Sequence, residues 1–212
     1  MKTLLILGAG GHGKVVADCA LETGLYHKVA FLDDDAAKVG EIVIDYPVIG
    51  KLCNFEKLKG EYDEAFVAIG NNRLRVELVD KLNRFGYNVP CLIHPFSFVS
   101  KFSVIECGTV VLAGAVINAG TRVGRGSIIN TCSSVDHDCL LSKGVHISPG
   151  ARVGGTVTVG DYSWICLGSS IANNVHIGEN SIIAAGAAVI KDIDNNVLAA
   201  GVPAVTKKRL RQ

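Results

Sequence analysis

His137 lies between two carboxylates, Asp136 and Asp138, whereas His27 and His176 have no acid beside them. An imidazole has an ordinary pKa of about 6.5 and accepts a proton at neutral pH, and an adjacent carboxylate favours the protonated ring. The triplet is thus a candidate for general-base chemistry. A second constellation opens the chain, where Gly8-Ala9-Gly10-Gly11-His12-Gly13 satisfies G-x-G-x-x-G. Asp33 follows at the distance where a dinucleotide-binding fold keeps its ribose-binding acid. Cys132 and Cys139 have no adjacent base to make them nucleophiles. No residues show metal-ligand spacing, so chemistry without a metal is expected.

The histidine must be positioned by a repeat. Stepping by six from Val99 to Val189 meets Val, Ile or Leu at every position, and four residues after each one before Val189 comes a small or slender side chain such as Ala115, Ser127, Cys139 or Ala151. A hexapeptide period marks a parallel β-helix in which three repeats close one 18-residue coil. The branched residue fills the interior and the small one fits near the corner. Gly or Asn recurs three places after the branched residue, where a turn needs positive φ.

The glycine-rich turn needs a strand before it and a helix after it. Thr3–Gly8 reads as a strand, followed by a helix ending at Gly24 with Val15, Val16, Cys19 and Ala20 on one face. Further strands are expected at Val29–Leu32, Ala65–Ile69 and Val89–Ile93. Asn72 is placed as the cap of a second helix bearing Leu74, Leu78, Val79, Leu82 and Phe85. The fold class is thus an α/β Rossmann-like nucleotide-binding domain over 1–94, then an all-β parallel β-helix with a C-terminal tail over 95–212. The span before Val99 holds about one mononucleotide-binding half, which disfavours NAD and leaves a nucleotide-sugar site or a purely structural turn.

Composition sets the outer bounds. Apolar residues make up 49% and charged residues 19%, which suits a buried globular core, and a net charge of +1 gives no reason to expect nucleic acid. The seven cysteines form no C-x-x-C pair and sit mostly in apolar runs, so buried reduced thiols and a cytoplasmic location are expected. No apolar run is long enough for membrane insertion. Lys207, Lys208 and Arg209 read as a solvated basic tail.

Several runs carry a resemblance: Gly8–Lys14, Phe31-Leu32-Asp33-Asp34, Ala68-Ile69-Gly70-Asn71-Asn72, Leu92-Ile93-His94-Pro95, Asn130-Thr131, His137-Asp138, His146 and Gly201-Val202-Pro203-Ala204. Together they resemble the NeuD/PglD-like sugar O- and N-acyltransferase family over essentially the whole chain. The resemblance implies a left-handed β-helix, a homotrimer and transfer of an acetyl group from acetyl-CoA. The acceptor it implies is the amino group of a nucleotide-linked amino sugar in bacterial glycan synthesis, such as a UDP-4-amino-4,6-dideoxy sugar. It makes His137 the general base and Asp138 the acid that increases its basicity, with Asp138 shorter than the Glu of some relatives. It places His146, Gly155, Leu167 and Ala185 beside acetyl-CoA. Gly10, Gly11, His12, Asp33, Asp34 and Gly70 are implied to contact the nucleotide sugar. Asn130, outward after Ile129, is grouped with them or with the base and the subunit contact.

The repeat supplies geometry for these roles. His137 follows the inward Val135 at a corner, and Gly155 stands one coil later, about 4.8 Å above it. There the Gly155 amide is expected to stabilise the oxyanion while the imidazole takes the proton of the attacking amine. Leu167 and Ala185 stack on another corner. Two other readings remain open: transfer to a hydroxyl, as in sialic acid O-acetylation, and a non-catalytic trimeric nucleotide-sugar-binding scaffold.

Overall fold

The computed structural model describes residues 1–210 and divides the chain into two compact units, Met1–Pro95 and a second that begins at Phe96. In the first, β1 (Lys2–Leu7), α1 (Gly11–Glu22) and β2 (Tyr26–Leu32) form a βαβ unit. The intervening β3 (Ile42–Val43) and β4 (Tyr46–Pro47) pair only with each other as a small antiparallel ribbon. β5 (Glu64–Val67) then joins β1 in parallel, giving the order β2-β1-β5. Leu4 to Leu7 are fully buried, as a strand covered on both faces requires.

The helices differ from the sequence expectation in detail. On α1 the buried face is Gly13, Val16, Ala17, Cys19 and Ala20, while Val15 is exposed. On α2 (Asn72–Arg84) the cap is Asn71, whose side chain accepts the Leu74 N–H at 3.0 Å. The buried face of α2 is Arg75, Val76, Leu78, Val79 and Leu82, while Leu74 and Phe85, expected on that face, are exposed. Of the strand expected at Val89–Ile93, only Leu92–Ile93 is extended.

The second unit is a left-handed parallel β-helix. From Phe98 to Val189 each strand is two residues long and pairs with strands one 18-residue coil away, as in Ile117 with Val135 and Val135 with Val153. The inward residues, from Val111 to Val189, form one continuous core. Burying each branched side chain contributes roughly 1.5–3 kcal/mol. The corner hydroxyls are buried too, and they bond corner carbonyls, as Ser127 Oγ does with Gly124 O at 2.6 Å. Buried polar atoms need such partners.

The positive-φ turn is more general than the Gly and Asn pattern suggests. Every such corner position from Gly108 to Gly186 is left-handed, including Cys132, Asp138, Thr156 and Tyr162. The coil geometry therefore overrides residue preference, at about 1–2 kcal/mol for a side chain that dislikes the conformation. The basic segment also differs from a free tail. Val205–Arg209 is a strand antiparallel to Val197–Ala200, with the side chains of Lys207, Lys208 and Arg209 exposed. The last two positions of the 95–212 assignment lie outside the described residues.

Candidate active site

The corner after Val135 carries the candidate acid–base pair, His137 and Asp138. Asp138 takes the left-handed turn at φ 55°, a conformation Asp tolerates better than most residues. From there its Oδ2 lies 2.9 Å from His137 Nδ1. An ionised carboxylate only accepts, so Nδ1 carries the proton and Nε2 is the basic nitrogen of the neutral ring. The Asp138 hydrogen bond raises the His137 pKa above its usual value; desolvation opposes it, and the charges of Asp136 and Asp138 add to it. Both side chains are more than half exposed, 57% and 66%, so the pair is open to solvent.

Neighbouring coils set this geometry. Below, Asn118 Nδ2 donates to Asp136 Oδ1 at 2.9 Å, and the same oxygen accepts the His137 backbone N–H at 2.9 Å. Gly120 sits under Asp138, and a Cβ there would fall 2.3 Å from Oδ1. Above, Gly155 covers the imidazole: its Cβ would lie 2.6 Å from both Nε2 and Cε1. The expected stacking of Gly155 over His137 is thus present, fixed by the Thr156 N–H to His137 carbonyl bond of 2.9 Å. The Gly155 amide is already engaged: it donates to Asn173 Oδ1 at 3.1 Å, so an oxyanion would have to displace that side chain to reach it. Sequence reasoning overlooked Asn118, Gly120 and Asn173, although each is one 18-residue step from a residue it had singled out.

His146 and Asn130 belong to a different sheet of the prism from the His137 corner. The Asn130 amide nitrogen is 3.2 Å from His146 Nε2, and the His146 ring stacks on Trp164 at 5.5 Å and 5°. Trp164 is held in turn by Ser148, whose Oγ accepts its indole N–H at 2.7 Å. Asn130 thus bonds His146. Leu167 and Ala185 form an exposed apolar column, with the Gly186 N–H bonded to Leu167 O at 2.9 Å.

In the first unit the glycine-rich turn is tightly built. A Cβ on Gly13 would fall 2.1 Å from Gly8 O, whereas Gly10 and Gly11 face open space. Asp33 holds the turn itself: Oδ2 accepts the Ala9 N–H at 2.8 Å and Lys38 Nζ at 3.0 Å, and Oδ1 accepts the Asp35 N–H at 2.9 Å. Burial works to raise the Asp33 pKa, but these donors outweigh it and hold the carboxyl below its usual range. Asp34 Oδ1 accepts the Leu52 N–H at 3.0 Å. Asp34 borders a groove of about 610 Å³ with an apolar floor that includes Leu52, Phe55 and Leu78 and a rim bearing Lys81 and Arg84.

His12 has its Nε2 buried with no hydrogen-bond partner, and burial, helped by the charge of Arg75, pushes its pKa down to about 4. The Arg75 guanidinium bonds the carbonyls of Ile69 at 2.9 Å and Gly70 at 3.3 Å, fixing the loop after β5. The thiols differ from the uniform burial expected: Cys19 and Cys139 are buried, but Cys53 and Cys132 are exposed. Cys132 occupies a left-handed corner. Among the described residues no helix is long and apolar enough to cross a membrane, and no three His, Cys, Asp or Glu side chains group to hold a metal ion.

A β-helix of hexapeptide coils with a carboxylate-paired histidine on an exposed corner defines the class of hexapeptide-repeat acyltransferases. Residues 3–82 match the PglD N-terminal domain. GDP-perosamine N-acetyltransferase of Escherichia coli O157:H7 is 30% identical over 177 residues, covering 80% of this chain and 78% of the relative. The acetyltransferase domain of PglB from Neisseria gonorrhoeae FA1090, in complex with acetyl coenzyme A, is 40% identical with a TM-score of 0.93, covering 97% and 99% of the two chains. PerB from Caulobacter crescentus, in complex with CoA and GDP-perosamine, is 36% identical with a TM-score of 0.91 and 98% coverage of both. The chain belongs to the NeuD/PglD-like family of sugar acyltransferases and is an acetyltransferase.

Proposed function

We propose that this enzyme transfers the acetyl group of acetyl-CoA to the amino group of a nucleotide-linked amino sugar. The observation that carries the reading is the His137–Asp138 pair, which leaves Nε2 basic and exposed beneath Gly155. The amine nitrogen attacks the thioester carbon, and Nε2 takes the proton that the amine loses. The tetrahedral intermediate collapses, the C–S bond breaks, and the proton passes to the departing thiolate of CoA. Asp138 stabilises the imidazolium between these steps. The PglB and PerB complexes with acetyl-CoA or CoA support the donor, and the GDP-perosamine enzymes support the acceptor class.

The first unit serves as a Rossmann-like half-site for the nucleotide sugar, with Gly10, Gly11 and His12 at the turn and Asp34 and Gly70 at its rim. Asp33 acts there by holding the Ala9 amide, which leaves little of its carboxylate for a ribose. His146, Leu167 and Ala185 line the path of the pantetheine arm. A homotrimer suits this arrangement, because the exposed Leu167–Ala185 column gains a cleft when a second prism packs beside it. Light scattering that found a fully active monomer would remove the interface from the site.

CoA release should be measured with UDP-, GDP- and CMP-linked amino and hydroxy sugars. The UDP-linked 4-amino-4,6-dideoxy sugar implied by the family resemblance and GDP-perosamine come first. Turnover on an amino sugar is the expected result. Turnover on hydroxy sugars alone would make it an O-acetyltransferase, and binding without CoA release would make it a scaffold.

A further inference from the structure

At the Gly155 corner, as at several others, the coil ladder leaves one backbone donor unused, the N–H two residues after the inward branched one. Side-chain oxygens satisfy several of these: Glu106 takes the Arg125 N–H, Asp136 the His137 N–H and Asn195 the Glu179 N–H. A corner amide without a bonded acceptor would simply face solvent. Gly155 occupies that position, and its acceptor comes from the coil above, where Asn173 Oδ1 lies at 3.1 Å. Gly154 admits this side chain, since a Cβ there would sit 2.2 Å from the same oxygen. Asn173 is exposed, so its amide can swing away without disturbing the core. The Gly155 backbone stays fixed without it, held by the bond from Asn174 N–H to Gly155 O at 3.0 Å.

We propose that Asn173 is a positioning residue that guards the Gly155 amide and yields it to the acyl oxygen of acetyl-CoA. The inference rests on the acetyl-transfer reading above. Asn173 Oδ1 and the thioester oxygen compete for one N–H beside Nε2 of His137. A thioester carbonyl is a modest acceptor and binds against this competition. The oxyanion formed on attack is far stronger and displaces Asn173 fully, so the contact discriminates against the ground state and favours the transition state. CoA itself has no acyl oxygen and is indifferent to the guard.

The test is calorimetric binding of acetyl-CoA and CoA to wild type, Asn173→Ala and Asn173→Asp, with turnover measured beside it. Removing the competitor should tighten acetyl-CoA relative to CoA by roughly 2- to 10-fold, the worth of one neutral hydrogen bond. Asn173→Asp offers a charged acceptor and should weaken acetyl-CoA relative to CoA by a similar factor. An unmoved acetyl-CoA to CoA ratio in both variants, or a reversed order, would overturn the guard while leaving acetyl transfer intact. If wild-type enzyme transfers no acetyl group to any amino sugar, the transfer reading fails instead. Thermal melting identifies a variant that is merely misfolded, and opposite shifts in Ala and Asp cannot arise from that cause.

Discussion

Gly155 stands directly over the His137 imidazole, so close that a Cβ would fall 2.6 Å from the basic Nε2. Its φ is not in the left-handed region, so alanine suits the backbone there, and the atoms nearest to the new Cβ belong to the ring. Gly155→Ala should push the exposed imidazole aside and lower turnover by at least about 10²-fold, the scale of a misplaced reacting group. Stability should change by less than about 1 kcal/mol. Near-normal turnover in a folded Gly155→Ala enzyme would mean that the ring does not work from this position.

His137→Ala should leave acetyl-CoA bound and reduce turnover by roughly 10²–10⁴-fold. Asp138→Asn is the sharper test, because Asn tolerates the left-handed corner and removes only the charge. The base is active when unprotonated, and Asp138 raises its pKa, so losing the carboxylate should move the acidic limb of the pH–rate profile to lower pH. An unmoved limb would make Asp138 a turn residue.

His12 and His137 should titrate on opposite sides of an ordinary histidine. NMR is expected to find His12 neutral down to a pKa of about 4, and His137 protonated above the usual value. Since the unfolded state protonates His12 near pH 6.5, stability falls as pH drops through that value towards the folded pKa. The loss should be about 2 kcal/mol by about pH 5. A His12→Phe enzyme with an identical decline in denaturant unfolding would place the sensitivity elsewhere.

Two glycines of the first turn should separate folding from binding. Gly13→Ala drives a Cβ to 2.1 Å from Gly8 O and should destabilise the first unit by at least about 2 kcal/mol. Gly10 faces open space, so Gly10→Ala should change stability by less than about 0.5 kcal/mol while weakening nucleotide-sugar binding roughly tenfold. Unchanged affinity in Gly10→Ala would move the ligand away from this turn.

The sequence by itself determined the β-helix register. The residue that points inward every sixth place is a local choice repeated along the chain, and one period therefore fixes which residues stack, including Gly155 on His137 and Ala185 on Leu167. Adjacency alone could not choose between Asp136 and Asp138 as the partner of the His137 ring, and the family resemblance implied Asp138. Tertiary structure decided what each polar atom bonds. The Gly155 amide goes to Asn173, the Asn130 side chain to His146, and the Asp33 carboxylate to the glycine turn instead of a ribose. It also chose Asn71 over Asn72 as a helix cap and made corners of Cys132 and Thr156. A period fixes backbone position to within a strand spacing, but a hydrogen bond is decided over a few tenths of an ångström by rotamers and by neighbours a full coil away.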